Sequence, residues 1–164
     1  MTSSLANSSM LNFCKRRSVS DCVGVSLTMK QNDRGVSLDE VRASENLKHF
    51  LNFLNRTLFR KQYSRFGKKL AVLPVLERSS SGRWHFHLTL EKPQTFACAP
   101  DRPVLSEIER NVAFEKLIKQ CWKRTKFGYS QVHVDHAVTG RWLDYSLKDS
   151  DVGDGVDWRQ INWN

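Results

Sequence analysis

No apolar run among the 164 residues approaches the ~20 needed to cross a bilayer as a helix, so no such span is expected. The chain opens Met1-Thr2-Ser3-Ser4, polar from the start, with no hydrophobic signal core, and secretion is not expected either. The four cysteines, Cys14, Cys22, Cys98 and Cys121, form no C-x-x-C pair. That spacing argues against a disulfide framework or a zinc knuckle, and thiols in a reducing compartment are the expectation. No Pro/Gly linker and no internal repeat divides the chain. Acid is missing where base is plentiful: none occurs in residues 1–20, and none between 46 and 69.

What is present is a basic globule. The net charge is +9 and the pI about 9.7, and residues 21–148 carry the whole surplus because the basic start and the acidic end offset one another. A body of this charge points to a polyanion, nucleic acid being the commonest; good solubility is the plainer alternative. Residues 1–20 read as a Ser-rich basic tail with a Lys15-Arg16-Arg17 cluster. Residues 21–164 read as one domain.

Hydrophobic periodicity sketches the elements. Residues 22–30 alternate through Val23, Val25 and Leu27 as a strand. Ser37-Leu38-Asp39-Glu40 has the spacing of a capping box, and Leu47, Phe50, Leu51, Leu54 and Leu58 continue a helix that Gly67 would stop. Residues 70–77 form a second strand, with Pro74 implying an edge or a bulge, and 83–91 a third, joined to it across Ser79–Gly82 as a hairpin. A second capping box at Ser106–Glu109 opens a helix expected to bury Ile108, Val112, Leu117, Cys121 and Trp122. A fourth strand covers 129–137, and a short helix runs from Gly140 to about Asp149. The order β-α-β-β-α-β is that of an α+β, ferredoxin-like (RRM-like) split βαβ domain. It predicts an antiparallel sheet of four to five strands with helices on one face, the other face open, and a C-terminal helix carrying Tyr145.

The chemistry concentrates in Glu77–His87. In His85-Phe86-His87 the two imidazoles project from one strand face, since side chains alternate. If Glu77 stands opposite His85, its carboxylate joins them at cross-strand distance. Two imidazoles and a carboxylate suit a divalent metal with open positions, as in non-haem iron oxygenases or zinc hydrolases; the plain alternative is a solvated strand face. A second cluster, Tyr145-Ser146-Leu147-Lys148-Asp149, puts Lys148 three and Asp149 four residues after a tyrosine on a helix. A phenol is a usable nucleophile toward phosphorus, and a nearby ammonium can stabilise the charge that develops. A surface Tyr beside a solvated Lys is the alternative. His133 and His136 fall on opposite strand faces and read as structural or exposed rather than as ligands.

These residues resemble the HUH endonucleases, specifically the single-tyrosine Rep proteins that initiate rolling-circle replication. Leu27-Thr28-Met29-Lys30-Gln31 is similar to the first Rep motif, His85-Phe86-His87 to the HUH motif, and Tyr145–Asp149 to the Tyr-x-x-Lys motif with its following acid. Glu77 falls where the family's third metal ligand lies. The likeness spans residue 22 to about 158. The first motif lacks the proline and cysteine of plant-virus members, which favours a bacterial host's cytoplasm over a eukaryotic nucleus. No G-x-x-x-x-G-K-[ST] occurs, so the helicase would be a separate partner.

The resemblance implies a metal-dependent nicking and joining of single-stranded DNA at a replication origin, in linear or hairpin form. Mn2+ or Mg2+ would sit on Glu77, His85 and His87. Tyr145 would form a 5′-phosphotyrosine link, assisted by Lys148 and with Asp149 auxiliary. Thr28, Gln31, Arg56, Arg60 and Lys61 are the candidate DNA contacts, against ordinary strand polarity and a solvated helix face. The rival readings are an HUH transposase or relaxase, and a non-catalytic RRM-like binding module.

Overall fold

The computed structural model describes residues 21–94, 105–139, 142, 157 and 160–162. The elements in order are β1 (Cys22–Met29), β2 (Asn32–Asp33), β3 (Val36–Ser37), α1 (Glu40–Phe59), α2 (Lys61–Phe66), β4 (Val72–Arg78), β5 (Trp84–Glu91), α3 (Glu107–Lys123) and β6 (Gly128–Asp135). Four strands form one antiparallel sheet in the order β4-β5-β1-β6. The expected α+β split βαβ architecture is therefore the observed one, with β1 and β5 central. β4 is an edge strand, which is where a proline such as Pro74 is tolerated. The basic start, residues 1–20, lies outside the described residues.

Alternation decides which side of the sheet is core. Val23, Val25, Leu27 and Met29 of β1, with Phe86, Leu88 and Leu90 of β5, are fully buried against α1 and α3. Phe50 of α1 meets Trp122 of α3 edge to face, centroids 5.6 Å apart, and the indole Nε1 donates to the Thr28 carbonyl at 2.9 Å. Burying each of these large side chains contributes about 2 kcal/mol. Both long helices thus lie on one face.

Four expectations change. The first helix is capped by Asp39, whose side chain accepts from the Arg42 N–H, rather than by Ser37. It does not run unbroken to Gly67: Arg60, at φ 46°, interrupts it, and a short second helix then ends at Gly67 in the left-handed conformation (φ 65°) that glycine adopts cheaply. In α3, Ile108 and Val112 are exposed (76% and 63%), while Phe114, Ile118, Cys121 and Trp122 are buried. Those four share one stripe at i, i+4, i+7 and i+8, and Ile108 and Val112 lie on the other side of the helix. A small hairpin, β2–β3, turned by Arg34 and Gly35 at positive φ, adds to the expected elements.

The far face of the sheet is not wholly open either. Cys22, Ala71, Leu73 and Val75 form a second buried cluster with Val138, and Trp142 and Ile161 pack against it. The β4 edge is paired as well. Asn162 bridges Val72, and the Asp157 N–H donates to the Pro74 carbonyl at 3.0 Å. Apolar side chains on this half of the face need a cover, and residues from the C-terminal segment supply it.

Candidate metal centre on the sheet

The site begins with a hairpin register. β4 and β5 pair with Glu77 opposite His85 and Val75 opposite His87, as the spacing predicts. The turn between them is held by the Ser79 N–H on the Arg83 carbonyl at 2.9 Å and the Gly82 N–H on the Ser79 carbonyl at 2.7 Å. Strand alternation then sends Phe86 and Leu88 into the core and leaves Glu77, His85 and His87 together on the face turned from the helices.

The three side chains converge closely. Nε2 of His87 lies 2.9 Å and Nε2 of His85 3.2 Å from the same carboxylate oxygen, Oε2 of Glu77. The imidazoles stand edge to face with centroids 4.9 Å apart. One ligand atom from each residue lies within 4.8 Å of the others. Donors bonded to a common divalent ion at about 2.1 Å are at most about 4.2 Å apart, so small side-chain adjustments accommodate one. Two imidazoles and a carboxylate are also the donor chemistry such an ion accepts. His87 is buried (4% exposed), whereas Glu77 and His85 are half-buried, so the cluster is reachable from one side.

Second contacts orient the ligands. On β1, Ser26 is the register partner of His87 and Thr28 that of His85. Ser26 Oγ lies 3.1 Å from His87 Nδ1, which leaves Nε2 to face Glu77. No sequence pattern marks Ser26, because its role follows from β1 lying beside β5, a pairing of residues 61 positions apart. The Trp142 ring lies 5.9 Å from the His87 ring, edge to face. It occupies the space over Gly24: a Cβ there would come within 2.5 Å of the indole. Residue 24 must therefore lack a side chain for Trp142 to reach His87.

The remaining expected residues are distributed differently. Gln31 binds backbone: its amide nitrogen donates to the Met29 carbonyl at 2.8 Å and the Trp84 carbonyl at 3.2 Å, and its oxygen accepts from the Trp84 N–H at 2.8 Å. It ties the end of β1 to the start of the strand bearing His85. The Thr28 hydroxyl donates to the Gln131 carbonyl at 2.6 Å. Arg56, Arg60 and Lys61 are exposed on the helical layer, across the sheet from the cluster. His133 is exposed, and His136 faces Glu115 at 3.3 Å, so neither joins the ligands. Tyr145, Lys148 and Asp149 lie outside the described residues. Among the described residues no helix is long and apolar enough to cross a membrane.

A family model for replication-associated proteins of the ORF2 type matches residues 22–150, which take in β1 through β6 and the Tyr145–Asp149 segment. No curated protein and no solved structure matches.

Proposed function

We propose that this chain, which belongs to the ORF2-type family of replication-associated proteins, nicks and rejoins single-stranded DNA at a replication origin through a tyrosine-linked intermediate. The observation that carries the proposal is the convergence of Glu77, His85 and His87 within 4.8 Å on one sheet face of a replication-family chain. That set, together with the Tyr145–Asp149 motif, is what the single-tyrosine HUH endonucleases would require.

Glu77, His85 and His87 would hold Mn2+ or Mg2+, imidazole favouring Mn2+ in affinity. A bound ion would supply a Lewis acid that draws charge from a phosphate oxygen. Tyr145 is the nucleophile in this reading. Its phenolic oxygen bonds to phosphorus, the bond from phosphorus to the 3′ oxygen breaks, the phenol gives up its proton and the 3′ oxygen gains one. The products are a free 3′-OH and a 5′-phosphotyrosine. One phosphodiester replaces another, so the step is readily reversed and the strand can be rejoined. Lys148 would stabilise the phenolate and phosphate charge, with Asp149 beside it. Trp142 against His87 supports the reading, because three residues of chain span at most about 11 Å. Thr28 would border the bound strand beside His85.

The test is a denaturing gel after incubating the protein with Mn2+ and origin-like single-stranded oligonucleotides, hairpins included. A covalent adduct is expected, lost in Tyr145→Phe and in His87→Ala. Tight binding without adduct across such oligonucleotides would assign the chain to the passive binding modules instead.

A further inference from the structure

At the other end of the β4–β5 hairpin from the metal ligands lies a second cavity, of about 470 Å³. Its walls include Phe59 at the end of α1, Phe66 at the end of α2, and Lys68, Lys69, Glu91 and Lys92. Phe66 is 81% exposed, an unusual state for a phenyl ring. The Lys68 ammonium stands 5.1 Å from the centroid of Phe59. Glu91, the one acid of the set, accepts from the Ala71 N–H at 2.9 Å, and the Lys92 ammonium donates to the His136 carbonyl at 3.2 Å. Three ammonium groups against one carboxylate make the cavity cationic. It has no part in the chemistry assigned above: Val72 pairs Leu90 here and Glu77 pairs His85 there, five residues along the strand, or about 17 Å.

We infer that this cavity holds an unpaired nucleotide of a single strand, its base against Phe66 and its phosphates among Lys68, Lys69 and Lys92. An exposed aromatic ring beside clustered cations is the chemistry that binds single-stranded nucleic acid without sequence preference, since every base has a π face. The volume lies in the range that encloses a small ligand. A lipid or an acidic peptide would satisfy the cations, but neither presents a flat ring to Phe66. Identifying the strand as the DNA that reaches the metal centre rests on the nicking reading; the binding itself does not.

The test needs no metal. With EDTA present, anisotropy of a fluorescein-labelled oligo-dT is measured for the whole chain, for Phe66→Ala, for Phe66→Trp and for the double variant Lys68→Ala/Lys69→Ala. All three positions are exposed, and circular dichroism checks that the fold is kept. Phe66→Ala is expected to weaken binding about tenfold with an unchanged salt slope, and Phe66→Trp to retain affinity. The lysine pair is expected to lower the slope of log K against log salt by about 1.4, two phosphates on a single strand. Unchanged affinity in Phe66→Ala, or an unchanged slope in the lysine variant, overturns the inference. The two proposals fail separately. A covalent adduct with no Phe66 effect removes this site alone, and a Phe66 effect with no adduct on any oligonucleotide removes the nicking reading alone.

Discussion

Ser26 Oγ lies 3.1 Å from Nδ1 of His87, so the imidazole nitrogen turned away from Glu77 has a partner on the neighbouring strand. A ligand histidine held at one nitrogen presents the other in a defined tautomer and direction. Ser26→Ala removes that partner and leaves the sheet intact. Mn2+ affinity measured by titration calorimetry is expected to fall about 10- to 100-fold, the usual loss for such a partner. An affinity equal to that of the unmodified chain would remove Ser26 from the metal centre.

Gln31 is expected to matter for stability before it matters for DNA. Its side chain makes three hydrogen bonds to backbone groups at the junction of β1 and β5. Gln31→Ala strands those groups, and urea unfolding should show a loss of about 1–3 kcal/mol. The salt dependence of oligonucleotide binding by the folded variant should be unaltered. A variant of full stability with weakened DNA affinity would reverse the assignment.

Gly24 and Trp142 should behave as a pair. Gly24→Ala places a methyl group on the indole, and the expected cost is about 1–3 kcal/mol, that of overpacking a filled site. Combined with Trp142→Ala, most of that penalty should disappear, because the clash has gone. A double-mutant cycle in urea measures the coupling, and strict additivity is the result that counts against the contact.

Glu115 provides a dependence on pH. Its carboxyl is held below the usual range by Lys119, whose ammonium donates to it at 2.6 Å, and by His136 at 3.3 Å. A depressed folded value means that the stabilisation is present above the unfolded carboxylate range and is lost as pH falls through the folded value. The pair is solvent-screened, so the effect is about 0.5 kcal/mol. Glu115→Gln should be less stable than the parent at neutral pH by that amount, and the two should unfold alike once the carboxyl is protonated. A difference that persists in strong acid would point to packing rather than charge.

The metal ligands are legible in the sequence because their information is local. Strand alternation puts His85 and His87 on one face, and the short turn around Gly82 sets Glu77 opposite them. The strand and helix order is legible for the same reason. The phase of α3 is not, since its first turns carry apolar Ile108 and Val112 on the side away from the core, and composition alone does not distinguish the two stripes. Gln31, which the sequence offers as a DNA contact, is occupied by the backbone of a strand 53 positions away.

By itself, then, the amino-acid order determined what repeats within a few residues: alternation, helical period, turn length, and through them the Glu77–His85–His87 set. Tertiary structure alone decided what lies beside and above that set. It brought Ser26 next to His87, laid Trp142 over Gly24, and covered half of the sheet's far face with Val138, Trp142 and Ile161. Those contacts join residues separated by tens of positions, where hydrophobic burial and close packing select the partners and no sequence period announces them.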